Sequence, residues 1–314
     1  KSLLPKKNNT VNLSTPLSLI NRPGFPGHFF ALLCGAILPF SFAPYDLWPL
    51  QFISVGLLFL SLKSLTPKQA MWRGWWFGLG TYAAGVSWVY VSIHIYSHTP
   101  AVPAFFMTLF FVAGLAWFFA AMTYCYQKFF AHHGLTFFSF ASVWLLFEWS
   151  RSWFLTGFPW LFLGYGHLDS PLSGWVPIIG VYGITCIAVA TGIIALLAFS
   201  AETKRIKIIL CLSISAIWIV GLPLDNISWA KDEGKTLSVA MVQSNIPQNI
   251  KWKRSQRKKT LELLEKLSVQ HWHNDIIIWP ETAVPLLYDQ AQAFLNRMSA
   301  EASEHNTTII SGIP

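Results

Sequence analysis

Long apolar runs restrict what this chain can fold into more than any single motif does. A bilayer core of about 30 Å takes roughly 20 apolar residues per helix, somewhat fewer where a helix is kinked or shallow. Seven stretches meet that ruler, approximately 28–43, 47–62, 72–94, 102–127, 136–154, 174–199 and 206–222. Backbone in lipid must satisfy its own N–H and C=O groups, so each run is expected to be a helix. Pro39 is placed to kink the first, and Pro44-Tyr45-Asp46 joins the first two as a tight hairpin. Only 11% of residues are charged, against about 25% in soluble chains, so an ordinary soluble globule is excluded.

The net charge of +8 does not point to nucleic acid, because the basic residues sit in short patches beside the apolar runs. Cytoplasmic loops are enriched in Lys and Arg. Lys1, Lys6, Lys7 and Arg22 precede the first run; Lys63, Lys68 and Arg73 follow the second; Lys128 follows the fourth; Lys204, Arg205 and Lys207 follow the sixth. The alternate loops hold only Arg151. This asymmetry predicts a cytoplasmic segment 1–27, a seven-span domain over 28–222, and everything beyond on the outer side of the membrane.

From about Asp232 the pattern changes to short strand-like runs alternating with helical ones. Leu237–Gln243, Asp275–Trp279 and Thr307–Ile313 are rich in β-branched and apolar residues, while 255–272 and 290–304 have helical spacing. Such alternation predicts an α/β layer with an apolar sheet over 232–314. The chain starts at Lys1 and ends at Pro314, just after a strand-like run, and both ends are expected to be cuts.

Glu281 is the leading candidate for chemistry, because it leaves an apolar strand in Ile278-Trp279-Pro280-Glu281. Ligands of α/β sheets bind beyond the carboxyl ends of strands, and Pro280 stiffens the exit; a surface or loop-capping Glu is the competing reading. Cys34, Cys125, Cys186 and Cys211 lie in apolar runs that disfavour a thiolate, so none is expected to be a nucleophile. His94 and His98, four apart, and His271 and His273 lack a third ligand in view, so no metal site is expected. Glu148 and Arg151 are spaced to pair on one helix face. Lys251, Lys253, Arg254, Arg257, Lys258 and Lys259 form a basic run, read either as a solvated helix face or as a contact for anionic headgroups.

Trp279-Pro280-Glu281 after an apolar strand resembles the first catalytic element of the nitrilase (carbon-nitrogen hydrolase) superfamily. The membrane half narrows the resemblance to apolipoprotein N-acyltransferases. The stretches that carry it are Phe42-Ala43-Pro44-Tyr45-Asp46-Leu47-Trp48-Pro49, Trp88-Val89-Tyr90-Val91-Ser92-Ile93, Leu155-Thr156-Gly157-Phe158-Pro159-Trp160, Met241-Val242-Gln243-Ser244-Asn245-Ile246-Pro247-Gln248 and Ile278-Trp279-Pro280-Glu281-Thr282-Ala283-Val284-Pro285. They occur in the family's order across nearly the whole chain.

The resemblance implies a multi-span α-helical membrane domain followed by the beginning of an αββα nitrilase-like domain, interrupted at residue 314. It implies a Glu-Lys-Cys triad in which Glu281 is the general base, with the Lys and the Cys beyond residue 314. Trp160 and Trp252 match positions of the active-site surroundings, with interfacial anchoring, common for Trp in membrane proteins, as the competing reading. The implied reaction moves an acyl chain from a membrane phospholipid, through a Cys thioester, to the α-amine of a diacylglyceryl-modified N-terminal Cys of an apolipoprotein. No cofactor, no nucleic acid and a monomer in a bacterial inner membrane are implied, with the nitrilase-like domain periplasmic. The residues alone also fit a membrane-tethered amidase or nitrilase, or a short non-catalytic lipid-binding paralogue.

Overall fold

A computed structural model describes residues 23–131, 136–200, 203–232 and 234–314, without the side chains of 136, 137, 199 and 200. The basic residues expected before residue 23 lie outside the described residues. The chain divides into two compact units, one ending at Trp229 and one spanning Ala230–Pro314.

The first unit is helical, with a helix in each of the seven apolar runs: α1 Phe25–Ile37, α2 Pro49–Ser61, α3 Pro67–Gly85, α4 Ala101–Cys125, α5 Thr136–Arg151, α6 Val176–Ser200 and α7 Lys204–Leu224. Three segments, Ala101–Phe130, Ser173–Ala198 and Lys204–Leu224, are long and apolar enough to cross a membrane; Phe25–Ser41 and Pro49–Ser61 are shorter apolar helices. As Pro39 predicts, α1 tightens at its end, continuing as a 3-10 turn over Leu38–Ser41. The third helix departs from the expected 72–94. It starts early because Thr66 and Gln69 form a capping box around Pro67, and it breaks after Gly85 before helical turns resume at Trp88–Val91 and continue as a π-helix over Ser92–Tyr96. Within α6, Gly180 has φ 63°, a break that hydropathy does not register.

Close backbone approach holds α1 to α3. A Cβ added at Gly35 would sit 2.0 Å from the Phe77 carbonyl oxygen, and one at Gly80 would sit 2.0 Å from that of Leu32. Small residues at such crossings let helices associate by packing when lipid supplies no hydrophobic drive. Phe77, Phe119, Phe140 and Trp144 fill the space beside this crossing with edge-to-face and tilted rings. Arg73 is fully buried and donates from Nη1 to the Ser61 carbonyl at 3.1 Å, which satisfies the last carbonyl of α2. By contrast α7 exposes Ile208, Ile209, Leu212 and Ile219, the signature of a helix whose solvent is apolar.

The second unit is a three-stranded parallel sheet, β1 Val239–Met241, β2 Ile276–Ile278 and β3 Thr308–Ile310, ordered β1-β2-β3. Val239 pairs with Ile276, and Ile276 with Thr308. The longer connecting helices are α8 Arg257–Val269, between β1 and β2, and α9 Tyr288–Glu304, between β2 and β3. Ala240, Ile277 and Ile309 pack with Leu264 of α8 and with Phe294 and Met298 of α9. Alternation sends Val239, Met241 and Ile310 to the opposite face, where all three are exposed. The strands are shorter than the runs that predict them, because pairing stops where Pro280 and the loop residues leave the ladder.

Candidate active site

Both ends of β2 carry an acidic residue, and the two are used differently. At the amino end, the Asp275 carboxylate accepts from the Ser238 backbone N–H at 2.7 Å and from its hydroxyl at 2.8 Å. Those bonds hold its carboxyl below the usual carboxylate range and pin the β1–β2 register. At the carboxyl end, Trp279 extends the ladder by donating its backbone N–H to Ile310 O at 2.9 Å. Its indole is buried, donates to Ser268 Oγ at 2.9 Å and stacks on Phe294 with centroids 5.8 Å apart. Pro280 then ends the pairing, having no N–H to give.

Glu281 follows as an exposed residue at the mouth of the central strand. Thr282 takes φ 52°, a left-handed conformation rare for a β-branched residue, so the chain turns sharply after Glu281. The exit of β3 lies alongside: a Cβ on Gly312 would be 3.4 Å from Thr282 N and 3.9 Å from Glu281 Cα. On the other flank the chain leaves β1 through Asn245, with φ 49°, into the short helix Gln248–Lys251. That path returns Lys251 to the β2 exit, where Nζ donates to the Glu281 carbonyl at 3.3 Å and lies 5.9 Å from the Trp252 ring centroid. Three strand exits thus converge around Glu281, and among the described residues its carboxylate makes no hydrogen bond or ion pair.

Trp160 belongs to the first unit and is held by a buried polar network. Arg151 donates from Nη1 to the Trp160 carbonyl at 2.8 Å and to the Tyr82 hydroxyl. Its own carbonyl accepts from Phe158 N at 2.8 Å. Glu148, 3.9 Å from the Arg151 guanidinium, accepts from Leu163 N at 2.7 Å. The i,i+3 spacing of Glu148 and Arg151 forecasts their pairing; the partnership with Tyr82, on another helix, carries no sequence signal. Leu155, Thr156 and Gly157 all have positive φ, a run of strain that the network over-determines. The Trp160 ring stands half-exposed, 5.3 Å from Trp88. A cavity of about 410 Å3 lies between Phe110, Phe111 and Phe118 of α4 and the Phe154–Phe158 segment, with Arg151 in its lining.

The four cysteines are unpaired and lie on α1, α4, α6 and α7, Cys34 buried and Cys211 exposed. The His94 ring is engaged by backbone, its Nδ1 meeting the Thr99 carbonyl at 2.8 Å. Rings of His271 and His273 are 6.2 Å apart, and among the described residues no three His, Cys, Asp or Glu side chains converge on a metal-sized site. The contact of Lys251 with Glu281 escapes a reading of the sequence, because 30 residues separate the pair and the lysine is embedded in a basic run.

Comparison with known proteins gives this geometry a family. Residues 34–194, more than half of the chain, match the family described as the apolipoprotein N-acyltransferase N-terminal domain. A protein of Pseudomonas aeruginosa named apolipoprotein N-acyltransferase is 40% identical over 299 residues, covering 94% of this chain and 58% of the relative. Its namesake in Pseudomonas putida is also 40% identical, with 94% and 59% covered. The Coxiella burnetii namesake is 40% identical over 288 residues, with 90% and 59% covered. The chain therefore spans well under two thirds of the length of these relatives. On the family match and the extent of this identity, the chain belongs to the apolipoprotein N-acyltransferases.

Proposed function

We propose that this chain contributes to transfer of a fatty acyl group from a membrane phospholipid to the α-amine of the diacylglyceryl-modified N-terminal Cys of apolipoproteins. The observation that carries the reading is Glu281, an unpaired carboxylate at the convergence of three strand exits. In the first half-reaction Glu281 takes the proton of a Cys thiol while the sulfur attacks the acyl ester carbonyl. The ester C–O bond breaks, a thioester forms, and the proton leaves with the lysophospholipid alkoxide. In the second, the lipopeptide amine attacks the thioester, its proton passes to the thiolate through Glu281, and the thiol is regenerated. Covalent relay suits a site that must handle two bulky substrates in turn. By the resemblance, the Lys that steadies the oxyanion and the Cys nucleophile both follow residue 314.

The membrane unit, on this reading, is a seven-span domain over 28–222 in a bacterial inner membrane, with a cytoplasmic N-terminus. Residues 232–314 are the first part of a periplasmic nitrilase-like domain, and the enzyme acts as a monomer. Support comes from the helices in all seven apolar runs and from the alternation of Lys and Arg between loops. By the resemblance, Trp160 and Trp252 belong to the surroundings of the site; Trp252 adjoins Lys251, whose Nζ donates to the Glu281 carbonyl.

The test is Glu281→Gln in the intact protein, assayed for acyl transfer from phospholipid to a diacylglyceryl lipopeptide. Loss of a general base is expected to slow transfer by roughly 100-fold or more. Transfer at the wild-type rate would remove Glu281 as the base.

A further inference from the structure

The segment Lys251–Lys259 adjoins the Glu281 turn and presents six cations, Lys251, Lys253, Arg254, Arg257, Lys258 and Lys259, with no acidic residue among them. The first carboxylate after it, Glu262, pairs with Lys258 at 3.7 Å, both side chains being well exposed. Lys253, Arg254 and Lys259 are exposed, and among the described residues none has a carboxylate at ion-pair distance. A helix face that is merely solvated mixes signs at i,i+4 spacing; this one accumulates like charge at its start. Trp252, 51% exposed, stands at its start between Lys251 and Lys253. An indole flanked by unbalanced ammonium and guanidinium groups is the combination suited to a headgroup layer, where the ring sits at the interface and the cations meet phosphates.

We infer that residues 251–259 form a docking strip for the anionic phosphate headgroups of a bilayer. Charge complementarity is one ground. A second is that the same chain carries three helices long and apolar enough to cross a membrane, so a bilayer surface is held at high local concentration. Lys251 links the strip to the Glu281 turn, so headgroup contact bears directly on the candidate site. The inference rests on the membrane reading of the first unit and not on the acyl-transfer chemistry.

Hydrogen–deuterium exchange of the full chain in nanodiscs tests it, read on peptides covering 248–260. Each cation near an anionic surface is worth about a fivefold preference. Exchange is therefore expected to slow at least roughly fivefold when a third of the phosphatidylcholine is replaced by phosphatidylglycerol. The slowing should vanish in about 0.5 M NaCl, where the Debye length falls to roughly 4 Å. It should also vanish in the quadruple variant K253Q/R254Q/K258Q/K259Q, while unchanged protection of Ile276–Ile278 shows that variant to be folded. Lys251 is kept so that its contact with Glu281 is undisturbed. Equal exchange in both lipids, or slowing that survives the quadruple variant, overturns the inference. So does equal slowing in phosphatidylcholine discs supplied with inorganic phosphate or a DNA oligonucleotide, which would assign the strip to free phosphate or nucleic acid. Because no acyl transfer enters the readout, a failure here is separate from a failure of Glu281 as base.

Discussion

Arg151→Met isolates the energetics of the network that holds the Trp160 loop. The wild-type guanidinium and the Glu148 carboxylate are 5% and 3% exposed, so the pair is almost wholly desolvated. Methionine removes the donor to Trp160 O and Tyr82 Oη and leaves Glu148 with no counter-charge, while much of the side-chain volume is kept. Breaking one member of a buried pair costs about 3–5 kcal/mol, because the survivor is an uncompensated buried charge. For a unit of this size each kcal/mol moves the melting midpoint by roughly 2–4 °C, so a fall on the order of 10 °C is expected. Glu148→Gln/Arg151→Met should regain part of that loss, since the Gln amide oxygen still accepts from Leu163 N without a charge to bury. Thermal unfolding in detergent, followed by loss of monodisperse protein at a fixed heating rate, measures both. A single variant within about 2 °C of wild type, less than about 1 kcal/mol on that scale, would refute the argument; so would a double variant at least as unstable as the single.

Gly80→Val should separate α1 from α3, since its Cβ falls 2.0 Å from a backbone oxygen that cannot step aside; a loss of at least about 2 kcal/mol is expected in the same assay. Asp275 has a folded-state pKa below its ordinary 3.8, so its stabilising effect is complete above pH 3.8 and is lost as the pH falls through the lower folded value. Exchange protection at β1 and β2 should therefore hold to about that pH and drop below it, and Asp275→Ala should remove this acid step. The fragment 230–314 expressed alone should lack a cooperative thermal transition, because Val239, Met241 and Ile310 give its sheet an open apolar face; a sharp reversible melt would contradict this.

The features legible in the sequence are those encoded by local pattern. Helices appear where apolar runs are long, and the βα alternation after Asp232 appears as three short strands and two longer connecting helices. Misplaced boundaries trace to local chemistry that hydropathy ignores. The Thr66/Gln69 capping box starts α3 at Pro67, ahead of the expected residue 72, and the run breaks after Gly85 before helical turns resume over Trp88–Tyr96. Contacts made across tens of residues leave no local trace: Tyr82 with Arg151, Gly35 against Phe77, and Lys251 on the Glu281 carbonyl. Each depends on where two elements meet, which no periodicity encodes.

The two carboxylates of β2 show why position in a sheet separates structural from chemical groups. A parallel sheet delivers its strand exits to one edge, where the chain turns through Asn245 after β1 and Thr282 after β2. Turning backbone leaves room between the exits for a side chain that no ladder partner needs. Asp275, at the opposite edge, is consumed by Ser238 and cannot accept a proton without loosening the β1–β2 pairing. Among the described residues, the Glu281 carboxylate makes no hydrogen bond, so no contact of the sheet depends on it. The proposed role of Glu281 as base fits such a position, where no contact of the fold is made through the carboxylate. On the proposed role of Glu281, Asp275→Asn, which keeps one acceptor for Ser238, should leave acyl transfer by the intact protein within about twofold of wild type, whereas Glu281→Gln should slow it by roughly 100-fold or more. Equal losses in both variants would mean that the edge of the sheet does not sort their roles.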